Sequence, residues 1–402
     1  MTDHTRCNPS LAVISGAFVL SQAVNLFLPR TPIWDENLFF PVVRQFGEHY
    51  LPTLDLIRTM DSPMGPVYFC VYGFLGKLVG FSLPAMRAVH LCFSLLLMMI
   101  LWRFLSQCKR RDVLILCFIL NPYFMVMTGP LLYTDVLGLL FAYLGASARI
   151  QGKNPWLAGF LWGMAICTRQ LLVVIPLAAG ISDLYSVVIE KKQSWKTLIP
   201  DLMPCMMFLP LFCLWGFNVN SGTFHAGAFE ENRVQAFSFS LRSLNYSIML
   251  TGLYSLPILY GTCLKRLRRP GVKMAVLAVI LCICAFPTDI NRDMLYGHLP
   301  RTAGLLDISL NRMSFLAYGA VPVLMYWGLN FLYEVMALAV HSKDLFLPTC
   351  TIVFILLESV YSYCWDKHFL VIIPIVFLLS DRILSSRDTG CPDPQDQTCP
   401  GP

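Results

Sequence analysis

Apolar residues recur along this chain in long runs from Leu11 to Leu384, separated by short polar stretches that carry most of the Lys and Arg. The runs 11–28, 64–80, 84–104, 113–128, 132–149, 155–169 and 171–189 approach or exceed the length needed to cross hydrocarbon about 30 Å thick, and similar runs continue to Leu384. They predict an all-α, polytopic membrane protein of about twelve transmembrane helices. The basic clusters Arg103/Lys109/Arg110/Arg111, Arg149/Lys153, Lys191/Lys192/Lys196, Lys265/Arg266/Arg268/Arg269/Lys273, His341/Lys343 and Arg382/Arg387 are expected to face the cytoplasm. Two apolar runs lie between consecutive clusters, so each pair forms an out-and-back hairpin.

At the front of the chain, three runs precede the first cluster, whereas a cytoplasmic N-terminus allows two crossings. Met64 to Gly80 carries Lys77, Pro66 and several glycines, and is expected to be interfacial or re-entrant; an external N-terminus is the other solution. The first external loop then runs from 29 to 83 and contains interfacial helices. A loop that long within a compact protein is usually functional. The expected organisation is a first module over 1–197, a second transmembrane half over 198–384, and a disordered cytoplasmic tail over 385–402, rich in Ser, Asp, Pro and Gly.

Composition narrows the class. Hydrophobic residues make up 56% of the 402 positions and charged ones only 13%, so any acid near the membrane is conspicuous. The net charge of +6 lies in clusters between apolar runs, which marks orientation in a membrane rather than a nucleic-acid surface. The 15 cysteines form no CxxC pair, and most lie inside apolar runs, where they are expected as small buried hydrophobes. The first run ends in Leu28-Pro29-Arg30 without a small-residue cleavage site, which suits a retained signal anchor. With no P-loop, no dinucleotide fingerprint and no HExxH, no cofactor or metal is expected.

The candidate chemistry gathers at the external ends of the runs. Trp34-Asp35-Glu36-Asn37 sets two adjacent carboxylates just past the first span. Asp35 either caps an interfacial helix beginning near Glu36, with Trp34 as a headgroup anchor, or serves as a general base at the rim of a water-poor cleft. Neighbouring carboxylates rarely flank one glycosidic bond, which disfavours a hydrolase pair. Tyr133-Thr134-Asp135 opens a later helix on the same side, as a cap or as a functional acid. Arg169 in Cys167-Thr168-Arg169-Gln170 either snorkels to headgroups or clamps a phosphate. Ser62-Pro63-Met64-Gly65-Pro66-Val67-Tyr68 reads as an extended turn that brings backbone close to the loop, with Ser62, Pro63, Gly65 and Tyr68 shaping it. Asp366-Lys367-His368 supplies two possible cations before the last span, by anchoring or by binding. The segment 288–312 adds Arg292, His298, Arg301 and Arg312, while Asn245-Tyr246-Ser247 is a sequon too near a span to be readily glycosylated.

Together these stretches resemble the GT-C superfamily of membrane glycosyltransferases. They are most similar to the dolichyl-phosphate-glucose alpha-1,2-glucosyltransferases, over roughly the first 190 residues and again weakly around Asp366-Lys367-His368-Phe369. Where that family follows its acidic pair with an aromatic residue and His, this chain has Asn37-Leu38-Phe39-Phe40, and the bacterial transferases that use polyprenyl-phosphate sugars share the same features. The resemblance implies transfer of a hexosyl unit, with inversion, from a polyprenyl- or dolichyl-phosphate donor to a hydroxyl of a glycan, lipid or protein. It would act in the endoplasmic reticulum or a bacterial inner membrane, without nucleic acid. In that scheme Asp35 is the base, Glu36 or Asp135 orients the acceptor, and Arg169, Lys367 and His368 hold the donor phosphate. A transporter or lipid flippase is the alternative class, although no matching pair of broken helices is evident in the two halves.

Overall fold

The computed structural model describes residues 9–27, 31–32, 35–49, 52–60, 62, 64–152, 154–215, 239–266, 271–285, 302–303, 314–342, 345–360 and 364–388. Trp34, Pro63 and, apart from 302–303, the segment 288–312 lie outside the described residues.

The fold is all-α. The first helices are α1 (Pro9–Phe27), α2 (Glu36–Glu48), α3 (Leu54–Thr59), α4 (Pro66–Val79), α5 (Leu83–Phe104) and α6 (Arg111–Ile119). There follow α7 (Thr134–Ile150), α8 (Pro155–Ile166), α9 (Val174–Val188) and α10 (Ile199–Leu214). The remainder are α11 (Leu241–Arg266), α12 (Gly271–Cys284), α13 (Ser314–Ser342), α14 (Phe346–Val360) and α15 (Ile373–Asp388). Two extended pairs of residues, Thr302–Ala303 and Cys364–Trp365, lie side by side in parallel.

Among the described residues, four helical stretches are long and apolar enough to cross a membrane: Leu83–Phe104, Gln170–Val188, Trp195–Leu214 and Gly319–Val340. Shorter apolar helices cover Ala12–Gln22, Pro66–Val79, Pro155–Ile166, Val272–Cys284 and Phe346–Val360.

Local signals explain many of the helix starts. Ser82 accepts from the Ala85 amide, and Asn154 accepts from the Trp156 and Leu157 amides, each ahead of a proline in the first turn. Thr53 caps α3 in the same way. The expected run 113–128 is not one span. Helix α6 stops after Ile119, and Asn121 Oδ1 takes the Tyr123 amide at 3.0 Å, offering the backbone an alternative to the helix ladder; a π-helical turn then covers Phe124–Thr128. Over 64–80, expected to be interfacial or re-entrant, α4 runs as one helix from Pro66 to Val79 and lays Tyr68, Phe69 and Gly73 against α2, where a Cβ at Gly73 would stand 2.8 Å from the Gly47 nitrogen. Helix α15 continues to Asp388, so the first residues of the segment expected as a tail from 385 are helical, and the rest of that segment lies outside the described residues.

Two cores result. A small one joins Phe39, Val42, Val43 and Phe46 of α2, spaced for one helical face, with Tyr68, Phe69, Tyr72, Leu83 and Met86. The large one runs through α5, α7, α9, α11, α13, α14 and α15, and therefore crosses position 197. Helix α9 packs on α14, and the Tyr143 hydroxyl donates to the Val371 carbonyl at 2.7 Å. The described cysteines are free, but Cys92, Cys205, Cys213 and Cys284 are exposed on helix surfaces rather than buried.

Candidate functional site

Helix α5 presents Arg87, His90 and Ser94 at i, i+3 and i+7, all with 0% exposure, so one face of an otherwise apolar helix is polar and buried. Each member holds a neighbour. Arg87 Nε donates to Glu36 Oε1 at 2.9 Å and Nη2 to Oε2, while the Leu132 amide donates to Glu36 Oε1 at 3.1 Å. His90 Nε2 meets the Thr128 carbonyl at 2.8 Å and Nδ1 meets the Tyr72 hydroxyl at 2.6 Å. A carbonyl only accepts, so Nε2 carries the hydrogen and Nδ1 accepts from Tyr72. Ser94 Oγ donates to the Gly129 carbonyl at 2.7 Å. The turn 128–132 is thus fastened at three points just before Tyr133-Thr134-Asp135.

That fastening fixes Asp135 in the first turn of α7, where the helix dipole favours a carboxylate. Asp135 is 2% exposed and forms an ion pair with Arg169, itself 6% exposed. Arg169 therefore does not snorkel. Its turn is braced by the 62–68 segment: Gly65 N donates to Thr168 O and Val67 N to Cys167 O, both at 3.2 Å. A Cβ at Gly65 would lie 2.0 Å from the Cys167 carbonyl oxygen, so only glycine permits this approach. Ser62 is buried and its Oγ accepts the Met64 amide at 3.2 Å, while Tyr68 is wholly buried, stacked on Tyr72 at 4.3 Å.

From the far end of the sequence, the 3-10 turn Asp366–Val371 brings Lys367 to the same place. Its Nζ lies 3.4 Å from Asp35 Oδ2 and 5.8 Å from the centre of the Tyr133 ring. Burial pushes the Lys367 pKa below the ordinary lysine value and Arg169 adds to that, while Asp35 and Asp135 oppose it. Asp35 stands at the cap position of α2, where its backbone carbonyl accepts from Leu38 and Phe39, but its side chain caps nothing. The Asp35 side chain keeps 33% exposure, against 3% for the side chain of Asp135 and 0% for that of Glu36. Asp35, Asp135, Arg169 and Lys367 make a compact set of two anions and two cations with one accessible acid. Beside it, the Tyr68 and Thr134 hydroxyls are buried without a hydrogen-bond partner among the described residues.

Two expected site residues have other duties. Glu36 is not placed to touch an acceptor, because its oxygens are engaged by Arg87 and the Leu132 amide in a closed interior. His368 Nδ1 lies 3.0 and 3.2 Å from the two oxygens of Glu358, which is wholly buried, so this nitrogen is committed within the protein rather than open to a phosphate. Comparison with family models, curated proteins and solved structures finds no match.

Sequence reasoning missed Arg87, His90, Ser94 and Glu358. Their signal was present as ionisable and polar residues inside apolar runs, with helical spacing for the first three. The sequon does not survive the fold: Asn245 is 0% exposed, and its Nδ2 donates to the Leu281 and Ala285 carbonyls at 2.9 and 2.6 Å.

Proposed function

We propose that this chain is a membrane glycosyltransferase of GT-C type, which moves a hexosyl unit from a polyprenyl-phosphate donor to an acceptor hydroxyl. The observation that carries this reading is the Asp35 carboxylate: part-exposed, unused as a helix cap, and held 3.4 Å from the Lys367 ammonium beside the Asp135–Arg169 pair. One accessible base facing buried cations suits a reaction whose leaving group is already a phosphate. Asp35 takes the proton of the acceptor hydroxyl as its oxygen attacks the anomeric carbon, and the carbon–oxygen bond to phosphate breaks on the opposite face. Lys367 and Arg169 stabilise the negative charge gathering on the departing phosphate, so no general acid is needed. Asp135 positions Arg169. The unpartnered Tyr68 and Thr134 hydroxyls offer hydrogen bonds to a sugar or phosphate. The reading takes about twelve crossings, with the site on the external or lumenal face.

Proteoliposomes holding the full chain, supplied with polyprenyl-phosphate hexose and an extract of lipid and glycan acceptors, test it. Wild type consumes the donor and forms a glycosylated product; Asp35→Asn lowers the rate by about 10²–10⁴-fold with an unchanged unfolding midpoint. Wild-type turnover in Asp35→Asn would sink the assignment of the base. Uptake of a sugar lipid without any covalent product would replace the enzyme with a transporter.

A further inference from the structure

Arg149 follows Asp135 by fourteen residues, roughly 21 Å along α7, and stands at the centre of a second buried charge cluster, separate from the site described above. Its Nη2 donates to Asp183 Oδ1 at 2.6 Å and its Nη1 to Asp183 Oδ2 at 3.1 Å, while Nη1 also reaches Asp201 Oδ1 at 3.4 Å. The guanidinium lies over the Phe346 ring, 5.0 Å from its centre. Asp183 belongs to α9, Asp201 to the first turn of α10 and Phe346 to α14, so one side chain of α7 joins three other helices. A Cβ at Gly159 would stand 2.2 Å from the Pro200 carbonyl oxygen, so α8 meets the start of α10 at backbone contact, and both acids are buried.

The cluster has two acids for one cation. A bidentate fork satisfies Asp183, whereas Asp201 receives one long hydrogen bond, and its Oδ2 is buried with no hydrogen-bond partner among the described residues. The two carboxyl groups are also hydrogen-bonding neighbours of each other. Ionised carboxylates only accept, so a hydrogen bond between them requires a proton on one. Among the described residues, the charges that reach Asp201 are those of Arg149 and Asp183, and those that reach Arg149 come from the two acids and Cys350 of α14. Helix α10 packs on α8, α9 and the turn Trp195–Leu198. Helix α8 carries no ionisable side chain, and Tyr185 of α9 and Lys196 of the turn are exposed. No third His, Cys, Asp or Glu joins the pair to hold a metal ion among the described residues. A buried charge left without a partner is neutralised instead, and two carboxylates that share a site do so by keeping one proton.

We propose that Asp183 and Asp201 share one bound proton, which makes the Arg149 cluster a protonation site between α7, α9 and α10. The proton lies between the two carboxyl groups, and the single negative charge that remains is matched by Arg149. Loss of the proton sets two anions against each other and loosens the first turn of α10 from α9. The proposal is independent of glycosyl transfer, since no sugar chemistry enters it.

Infrared spectra of the full chain in maltoside micelles at pH 7 test it, because a protonated carboxyl absorbs at a carbonyl frequency well apart from that of an ionised one. Wild type is expected to show a protonated-carboxyl band that shifts when the Asp carboxyls carry carbon-13. Asp201→Asn and Asp183→Asn are each expected to lose that band, because the acid left behind pairs with Arg149 as an anion. Asp201→Glu keeps the charge set and is expected to move the band; it remains informative if the amide variants do not fold. Absence of an Asp band in wild type, or a band unchanged in the variants that fold, overturns the proposal. Absence of the band together with an unfolding midpoint that rises with sodium but not with choline puts a metal ion in place of the proton, and overturns it equally.

Discussion

Adjacent carboxylates at 35 and 36 end in opposite environments because α2 begins between them: Asp35 keeps its side chain at the rim, and Glu36 turns inward to Arg87. Glu36→Gln leaves a buried guanidinium uncompensated and is expected to cost about 3–5 kcal/mol, measured by unfolding in detergent; replacing Glu36 and Arg87 together with apolar residues should recover most of that. Gly65→Ala drives a methyl into the Cys167 carbonyl, and a loss of about 1–3 kcal/mol is expected in the same assay. Lys367 brings a pH dependence of definite sign. Its folded pKa lies below 10.5, its value in an unfolded chain, so between those two values the unfolded state binds more protons. Stability attributable to Lys367 therefore rises with pH across that window, and its burial cost is complete below it. Wild type compared with Lys367→Met over alkaline pH checks this, with wild type gaining relative to the variant as pH increases. The two carboxylates and the lysine were visible in the sequence as charges at the ends of apolar runs. Which of them is closed off was not, because that depends on Arg87, fifty-one positions further along.

At the scale of elements, α5 acts as a frame for the turn that presents Asp135. Ser94→Ala removes the donor to the Gly129 carbonyl and His90→Phe the donor to the Thr128 carbonyl; each is expected to cost about 1–3 kcal/mol by leaving a buried acceptor unpaired. Hydrogen exchange at 131–135 should accelerate in both variants while exchange in α11 stays as in wild type. Helix existence was legible from the apolar runs, and many starts from Ser82, Asn154 and Thr53, because capping is local chemistry. The break at Asn121 and the π-helical turn after it were not legible. An apolar stretch of sufficient length looks the same whether it runs straight or is bent by one side chain that takes a backbone amide.

The whole molecule is interlocked across the boundary drawn at 197. The large core contains residues from both sides, α9 lies on α14, and Lys367 completes a site whose other charges lie before residue 170. Cleavage within the exposed stretch 191–195 should therefore yield two pieces that co-purify when expressed together. A piece covering 1–192 alone should show no donor turnover where the paired pieces do, as measured by release of polyprenyl phosphate.

From the sequence alone came the class of the molecule: an apolar, helical chain with basic clusters between its runs and a few acids and cations at their opposite ends. Hydropathy and capping act over a few residues, so the order of residues determines them directly. Tertiary structure alone decided that Asp35, Asp135, Arg169 and Lys367 share one place, and that Glu36 and His368 are claimed by Arg87 and Glu358. Burial and pairing of charges are set by which helices touch, and those contacts join residues tens to hundreds of positions apart.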